Sequence, residues 1–202
     1  MASRPLILAS GSPYRRKMLQ AAGLDFRVVP ADVDEAALKR GLASQTPKPT
    51  PAAIADALAR AKAQSVSARH ASATVVGADQ ILEFAGELLD KPGNLAAVRA
   101  QLERLCGNTH RLISAVVVAE AGQILWTHVA EAVLTMRPFT PEFLDRYLAE
   151  AGPGLCQIVG AYEIEGLGIQ LFERVEGDHF TIIGLPLVPL LAELRSRGVI
   201  AA

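Results

Sequence analysis

Two short stretches carry the residue types that phosphate chemistry needs. The first is Ser10-Gly11-Ser12-Pro13-Tyr14-Arg15-Arg16. It follows an apolar run and opens what reads as a helix, with Ser12 as N-cap and Pro13 at the first helical position. The first turn of a helix offers unpaired N–H groups and a partial positive charge, and phosphate is a natural guest there. Ser10 and Ser12 add hydroxyls, Gly11 lets the backbone come close, and Arg15 and Arg16 add fixed charge with a two-pronged grip. The stretch is not a Walker A loop, because the Gly-Lys-Ser/Thr ending is missing. An ordinary capped helix with two surface arginines fits the same residues. The second stretch is Gly77-Ala78-Asp79-Gln80. Here an apolar strand is expected to deliver an acid at its C-terminal edge, where ligands of α/β sheets gather. A carboxylate so placed can hold a divalent metal or take a proton from water. A strand-end turn is the plainer account, since Gly and Asp favour turns.

Other candidates are spread along the chain. Lys62 and Lys91 can serve as phosphate partners or as solvated surface lysines. Asp32, Asp34 and Glu35 cluster after a strand and can supply metal ligands, although loops are commonly acidic. The stretch Gly160-Ala161-Tyr162-Glu163-Ile164-Glu165-Gly166-Leu167-Gly168 reads as a tight loop able to present a carboxylate to a base edge, or as a glycine-rich connection with exposed acids. The four histidines are scattered without zinc spacing, and Cys106 and Cys156 read as small hydrophobes rather than ligands.

The elements that must position these residues alternate between strands and helices. Strands are expected at Leu6 to Ala9, Phe26 to Val29, Thr74 to Gly77, the hairpin Ile81 to Leu89, His110 to Ala119, Ile124 to Met136, Gly168 to Arg174 and Phe180 to Ile183. Helices are expected from Pro13 to Ala22, Pro51 to Arg69, Leu95 to Leu105 and Pro141 to Glu150, with a last one near Pro186. Residues 31–50 read as a loop. The mixture of crossovers and hairpins predicts an α/β (α+β) domain with a mixed sheet. Half the residues are apolar (50%) and 20% are charged, as in a globular protein with a real core. A formal net charge of -1 argues against a general grip on a nucleic-acid polymer, so any anion site must be local. No secretory leader and no membrane-spanning stretch is evident, and the cytoplasm is the expected compartment.

Taken in order, these segments resemble the Maf family of nucleotide pyrophosphatases. The family pattern Leu-Ala-Ser-x-Ser-Pro-x-Arg-Arg is matched from Leu8 to Arg16. Val33-Asp34-Glu35, Lys62-Ala63, Gly77 to Gln80, the Gly-Glu-x-x-x-Lys-Pro of Gly86 to Pro92, the Gly-Ala-Tyr-x-x-x-Gly-x-Gly of Gly160 to Gly168, and Gly184-Leu185-Pro186 follow. The resemblance implies a single ITPase/Maf-like domain over residues 1–202, a two-lobed mixed sheet flanked by helices with a cleft between the lobes, and a homodimer. It implies hydrolysis between the α- and β-phosphates of a nucleoside triphosphate with a divalent cation such as Mg or Mn. In that scheme Asp79 accepts the proton, Ser10, Arg15, Lys62 and Lys91 line the phosphate path, and Glu35 joins Asp79 at the metal.

Three positions sort the family by base. The branch acting on dTTP and UTP has Arg, Thr and Gln where this chain has Tyr14, Gln80 and Glu165, and it carries an Asp-Lys pair where this chain has Gln157-Ile158. The chain is more similar to the 7-methyl-GTP branch, which has Trp, Gln and Glu. N7-methylated guanine carries a ring charge that an aromatic face attracts, and a carboxylate can accept from the N1–H and N2–H edge of guanine. Tyr14 in place of Trp is the one departure, and it weakens the cation–π partner. A broader or dTTP/UTP pyrophosphatase of the same family, and a non-catalytic nucleotide-binding regulator of cell division, are the alternative readings.

Overall fold

A computed structural model describes residues 4–201. Seven strands hydrogen-bond in the order β2-β1-β3-β5-β6-β7, with β4 paired to β3. They are β1 (Leu6–Leu8), β2 (Arg27–Val28), β3 (Thr74–Phe84), β4 (Glu87–Leu89), β5 (Thr109–Glu120), β6 (Gln123–Met136) and β7 (Phe172–Glu176). β1 is parallel to both β2 and β3, whereas β3–β4 and β6–β7 are antiparallel, so the sheet is mixed as expected. The helices are α1 (Pro13–Ala21), α2 (Glu35–Ala43), α3 (Pro51–Ser67), α4 (Leu95–Leu105), α5 (Pro141–Ala151), α6 (His179–Ile183) and α7 (Leu187–Ser196).

The chain folds as two compact units. One comprises residues 1–80, 113–130 and 179–202, the other 81–112 and 131–178. In the first unit, β1 alternates its faces. Leu6 and Leu8 join Met18, Leu19, Val76, Ala78, Leu190 and Leu194 in one apolar cluster, while Ile7 and Ala9 join Val66 and Val75 in another. That period-two split sandwiches the strands between α1 and α7 on one face and α3 on the other. In the second unit Leu82, Leu102, Leu105, Leu134, Leu144 and Leu171 are buried. There His110 and Tyr162 are also buried and share a 2.7 Å hydrogen bond between Nε2 and Oη, with Tyr162 edge-on to Phe172. Burial holds the His110 ring down at a pKa of about 4 and pushes the Tyr162 phenol up, so both are neutral at pH 7.

Four sequence expectations are corrected. Residues 35–43 form helix α2 rather than loop; Asp34 caps it, accepting from Ala37 N at 2.8 Å. The helix buries no residue, which is why no apolar stripe announced it. Phe180 to Ile183 lies in helix α6, and residues 167–171 form a 3₁₀ turn, so only Phe172–Glu176 is a strand. Short apolar runs suit either state, and packing decides between them. Finally, β3 does not end at Asp79 but continues to Phe84, with Ile81 and Leu82 buried.

Candidate active site

The strand–turn–helix at the start of the chain is built as its sequence suggests. Ser12 caps α1, its side chain accepting from Arg15 N at 3.4 Å, and Ser12 N donates to Ser10 Oγ at 3.3 Å. Pro13 sits at the first helical position and Tyr14 is half-buried in the first turn. Arg16 is exposed, but Arg15 is only 8% exposed. Its Nε donates to Gly184 O at 2.8 Å, and its Nη1 donates to Ser10 Oγ at 3.0 Å and Ala78 O at 2.8 Å. All three acceptors are neutral oxygens. Burial lowers the guanidinium pKa, and the charges of Asp79 and Glu35 oppose that shift. Arginine stays protonated all the same, so a cation is held in the interior with its Nη2 making no hydrogen bond to a described residue. A buried charge held without a contact ion partner is costly unless an anion joins it.

Asp79 reaches the same place from β3. Alternation sets its direction: Gly77 and Asp79 share one face of the strand, Ala78 and Gln80 the other. Gly77 presses on α3 so closely that a Cβ would lie 2.5 Å from Ala59 O and 2.7 Å from Ala63 N. The facing α3 residues Ala55, Ala59 and Ala63 are themselves small and fully buried. This close approach lets Lys62 of α3 reach the strand. Lys62 Nζ lies 2.6 Å from Asp79 Oδ1 and 2.8 Å from Glu35 Oε1, the latter in the first turn of α2. The lysine side chain is 12% exposed, Asp79 8% and Glu35 46%, so the trio grades from interior to solvent.

The first unit thus brings Ser10, Arg15, Glu35, Lys62 and Asp79 together. Asp34 of the expected acidic cluster is spent on capping α2, and Asp32 is exposed. Gln80 donates from Nε2 to Ser114 Oγ, Thr181 O and Ile182 O. Lys91, just after β4, and Glu165, in the loop before the 3₁₀ turn, belong to the second unit, and both are exposed. Ser114, Thr181 and Gly184 are the participants that residue types did not announce. Only the Gly-Leu-Pro motif at Gly184 hinted at one of them.

Among the described residues no group of three or more His, Cys, Asp or Glu is placed to hold a metal ion. Asp79 and Glu35 nevertheless converge on one cationic point, now filled by Lys62 Nζ. Two carboxylates suit a Mg-like ion that takes its other ligands from water and substrate phosphate, not one caged wholly by protein. No helix among the described residues is long and apolar enough to cross a membrane.

The family model described as Maf-like protein matches residues 5–197. The chain belongs to the Maf family. Its Maf relatives include a 7-methyl-GTP pyrophosphatase of Mesorhizobium japonicum, 52% identical over 195 residues, covering 96% of this chain and 97% of the relative. A 7-methyl-GTP pyrophosphatase of Rhizobium johnstonii is 49% identical over 195 residues, with 96% and 97% covered. A nucleoside triphosphate pyrophosphatase of Bradyrhizobium diazoefficiens is 50% identical over 197 residues, with 98% and 96% covered.

Proposed function

We propose that this Maf protein hydrolyses 7-methyl-GTP, or a related modified nucleotide, to the monophosphate and pyrophosphate. The observation that carries the reading is a buried Arg15 with neutral contact partners, set beside an Asp79–Lys62–Glu35 cluster. A polyphosphate offers Arg15 a direct ion partner, and the helix mouth at Ser10 to Ser12 supplies further donors. The carboxylate oxygen of Asp79 not engaged by Lys62 accepts a proton from water. The water oxygen bonds to the α-phosphorus as the bridging bond to the β-phosphate breaks, and pyrophosphate leaves. Lys62 keeps Asp79 aimed, while Arg15, Ser10 and Lys91 bind phosphate oxygens. A divalent cation, when bound, would neutralise phosphate charge, and Glu35 and Asp79 are the side chains that would hold it.

Base choice falls to Tyr14 and Glu165, two of the three positions that sort the family by base; Gln80, the third, turns its amide inward. Tyr14 offers a π face to a cationic ring, and Glu165 accepts from the guanine edge. The cytoplasm and a homodimer belong to the same reading. Tyr14 in place of Trp favours a second one, a broader nucleotide range, since tyrosine is the weaker cation–π partner. Turnover over 7-methyl-GTP, GTP, dTTP, UTP and CTP with a divalent ion separates the two. We expect kcat/KM to be highest for 7-methyl-GTP; flat ratios would establish the broader range, and a dTTP or UTP preference would overturn the branch assignment.

A further inference from the structure

Gln80 sits where the family resemblance puts a base-selecting residue, yet its contacts point inward. An amide nitrogen has two N–H groups. Those of Gln80 face three acceptors, Ser114 Oγ at 3.1 Å, Thr181 O at 3.1 Å and Ile182 O at 3.0 Å. No donor remains for a nucleotide. Ser114 strengthens the same anchor by donating to Thr181 O at 2.8 Å, and it is fully buried. The two carbonyls held in this way lie in α6, and Gly184 follows that helix directly. Gly184 O is the acceptor for Arg15 Nε at 2.8 Å.

The three groups meet at Gly184 itself. Its φ of +111° suits glycine, and a Cβ there would come within 3.3 Å of Gln80 Oε1 and 3.7 Å of Arg15 Nη2. Gln80 therefore lies beside the residue whose carbonyl accepts from Arg15 Nε. Arg15 Nη1 donates to Ala78 O, on the main chain two residues before Gln80.

We infer that Gln80 is a positioning residue for the phosphate grip: it pins the end of α6 so that Gly184 O holds Arg15 with its remaining N–H groups aimed at the anion. This rests on the reading of Arg15 as a phosphate ligand. Its effect is felt by any polyphosphate, whatever base is attached.

Inorganic tripolyphosphate, which has no base, separates positioning from base reading when used as a competitive inhibitor. Gln80→Met keeps the bulk of the side chain and removes its donors. We expect the tripolyphosphate inhibition constant to rise about tenfold, the scale of losing one or two good hydrogen bonds. kcat/KM should fall by a similar factor for every nucleotide, leaving the ratio of 7-methyl-GTP to dTTP within about twofold of wild type. Ser114→Ala loosens the same anchor from its other side with a minimal change of volume, and should weaken tripolyphosphate in the same direction but less. Unchanged tripolyphosphate inhibition in both variants, with a collapsed base ratio in Gln80→Met, overturns the inference. Arg15→Lys serves as the control. If it leaves tripolyphosphate inhibition intact, the anion-grip reading fails and the positioning role goes with it. If it weakens inhibition while Gln80→Met does not, only the positioning role is lost.

Discussion

The two units treat buried ionisable groups in opposite ways. In the first, Arg15 is 8% exposed and keeps its charge, within a cluster completed by Asp79, Lys62 and Glu35. In the second, His110 is 1% exposed and is held neutral, hydrogen-bonded to an equally neutral Tyr162. Desolvation acts on both, and a protein core normally resolves it by neutralisation, as at His110. Charge persists in an interior where partners or a ligand compensate it. The contrast separates a structural polar pair from a site prepared for an anion.

The comparison is broken most severely by removing the acid. Asp79→Asn keeps the shape and a hydrogen-bond partner for Lys62 but cannot take a proton, so kcat should fall roughly 10²–10⁴-fold with the fold intact. Steady-state turnover alongside a thermal melt checks this; retained turnover removes Asp79 from the chemistry.

The neutral pair yields a pH prediction. His110 titrates at about 4 in the fold against 6.5 for the ordinary side chain. Between those values the unfolded chain binds the proton and the folded one resists it. The stability His110 contributes is therefore fully present above pH 6.5 and lost as pH falls toward 4, by about 3 kcal/mol. His110→Gln, which keeps a partner for Tyr162 without titrating, should flatten that part of a stability–pH curve measured by urea unfolding. An unchanged slope would mean His110 is not the titrating group.

A smaller effect is expected at the packing that supports the charged site. Gly77→Ala places a methyl against the backbone of α3, and should cost about 1–3 kcal/mol while moving Lys62 away from Asp79. Its melting temperature and kcat should fall together. A drop in stability with unchanged kcat would show that the Lys62–Asp79 contact does not depend on this close approach.

Much of this site was legible before any coordinates. Ser12-Pro13 and Thr50-Pro51 mark where α1 and α3 begin, because cap chemistry is local. The Asp79–Lys62–Glu35 cluster was legible as residue types, and the Maf resemblance set them in one site. The inner anchoring was not. Arg15 is tethered to main-chain oxygens of Ala78 and Gly184, 63 and 169 residues away, and a carbonyl has no signature in a side-chain pattern. Helix α2 escaped notice because it buries nothing, and α6 because its short apolar run suits a strand equally well.

The products of 7-methyl-GTP hydrolysis, followed by phosphorus NMR in the presence of a divalent cation, test the central claim most directly. Equal amounts of pyrophosphate and 7-methyl-GMP are predicted, because the attacked phosphorus is the α one. Inorganic phosphate with 7-methyl-GDP, or nucleotide that stays bound and uncleaved, would contradict it.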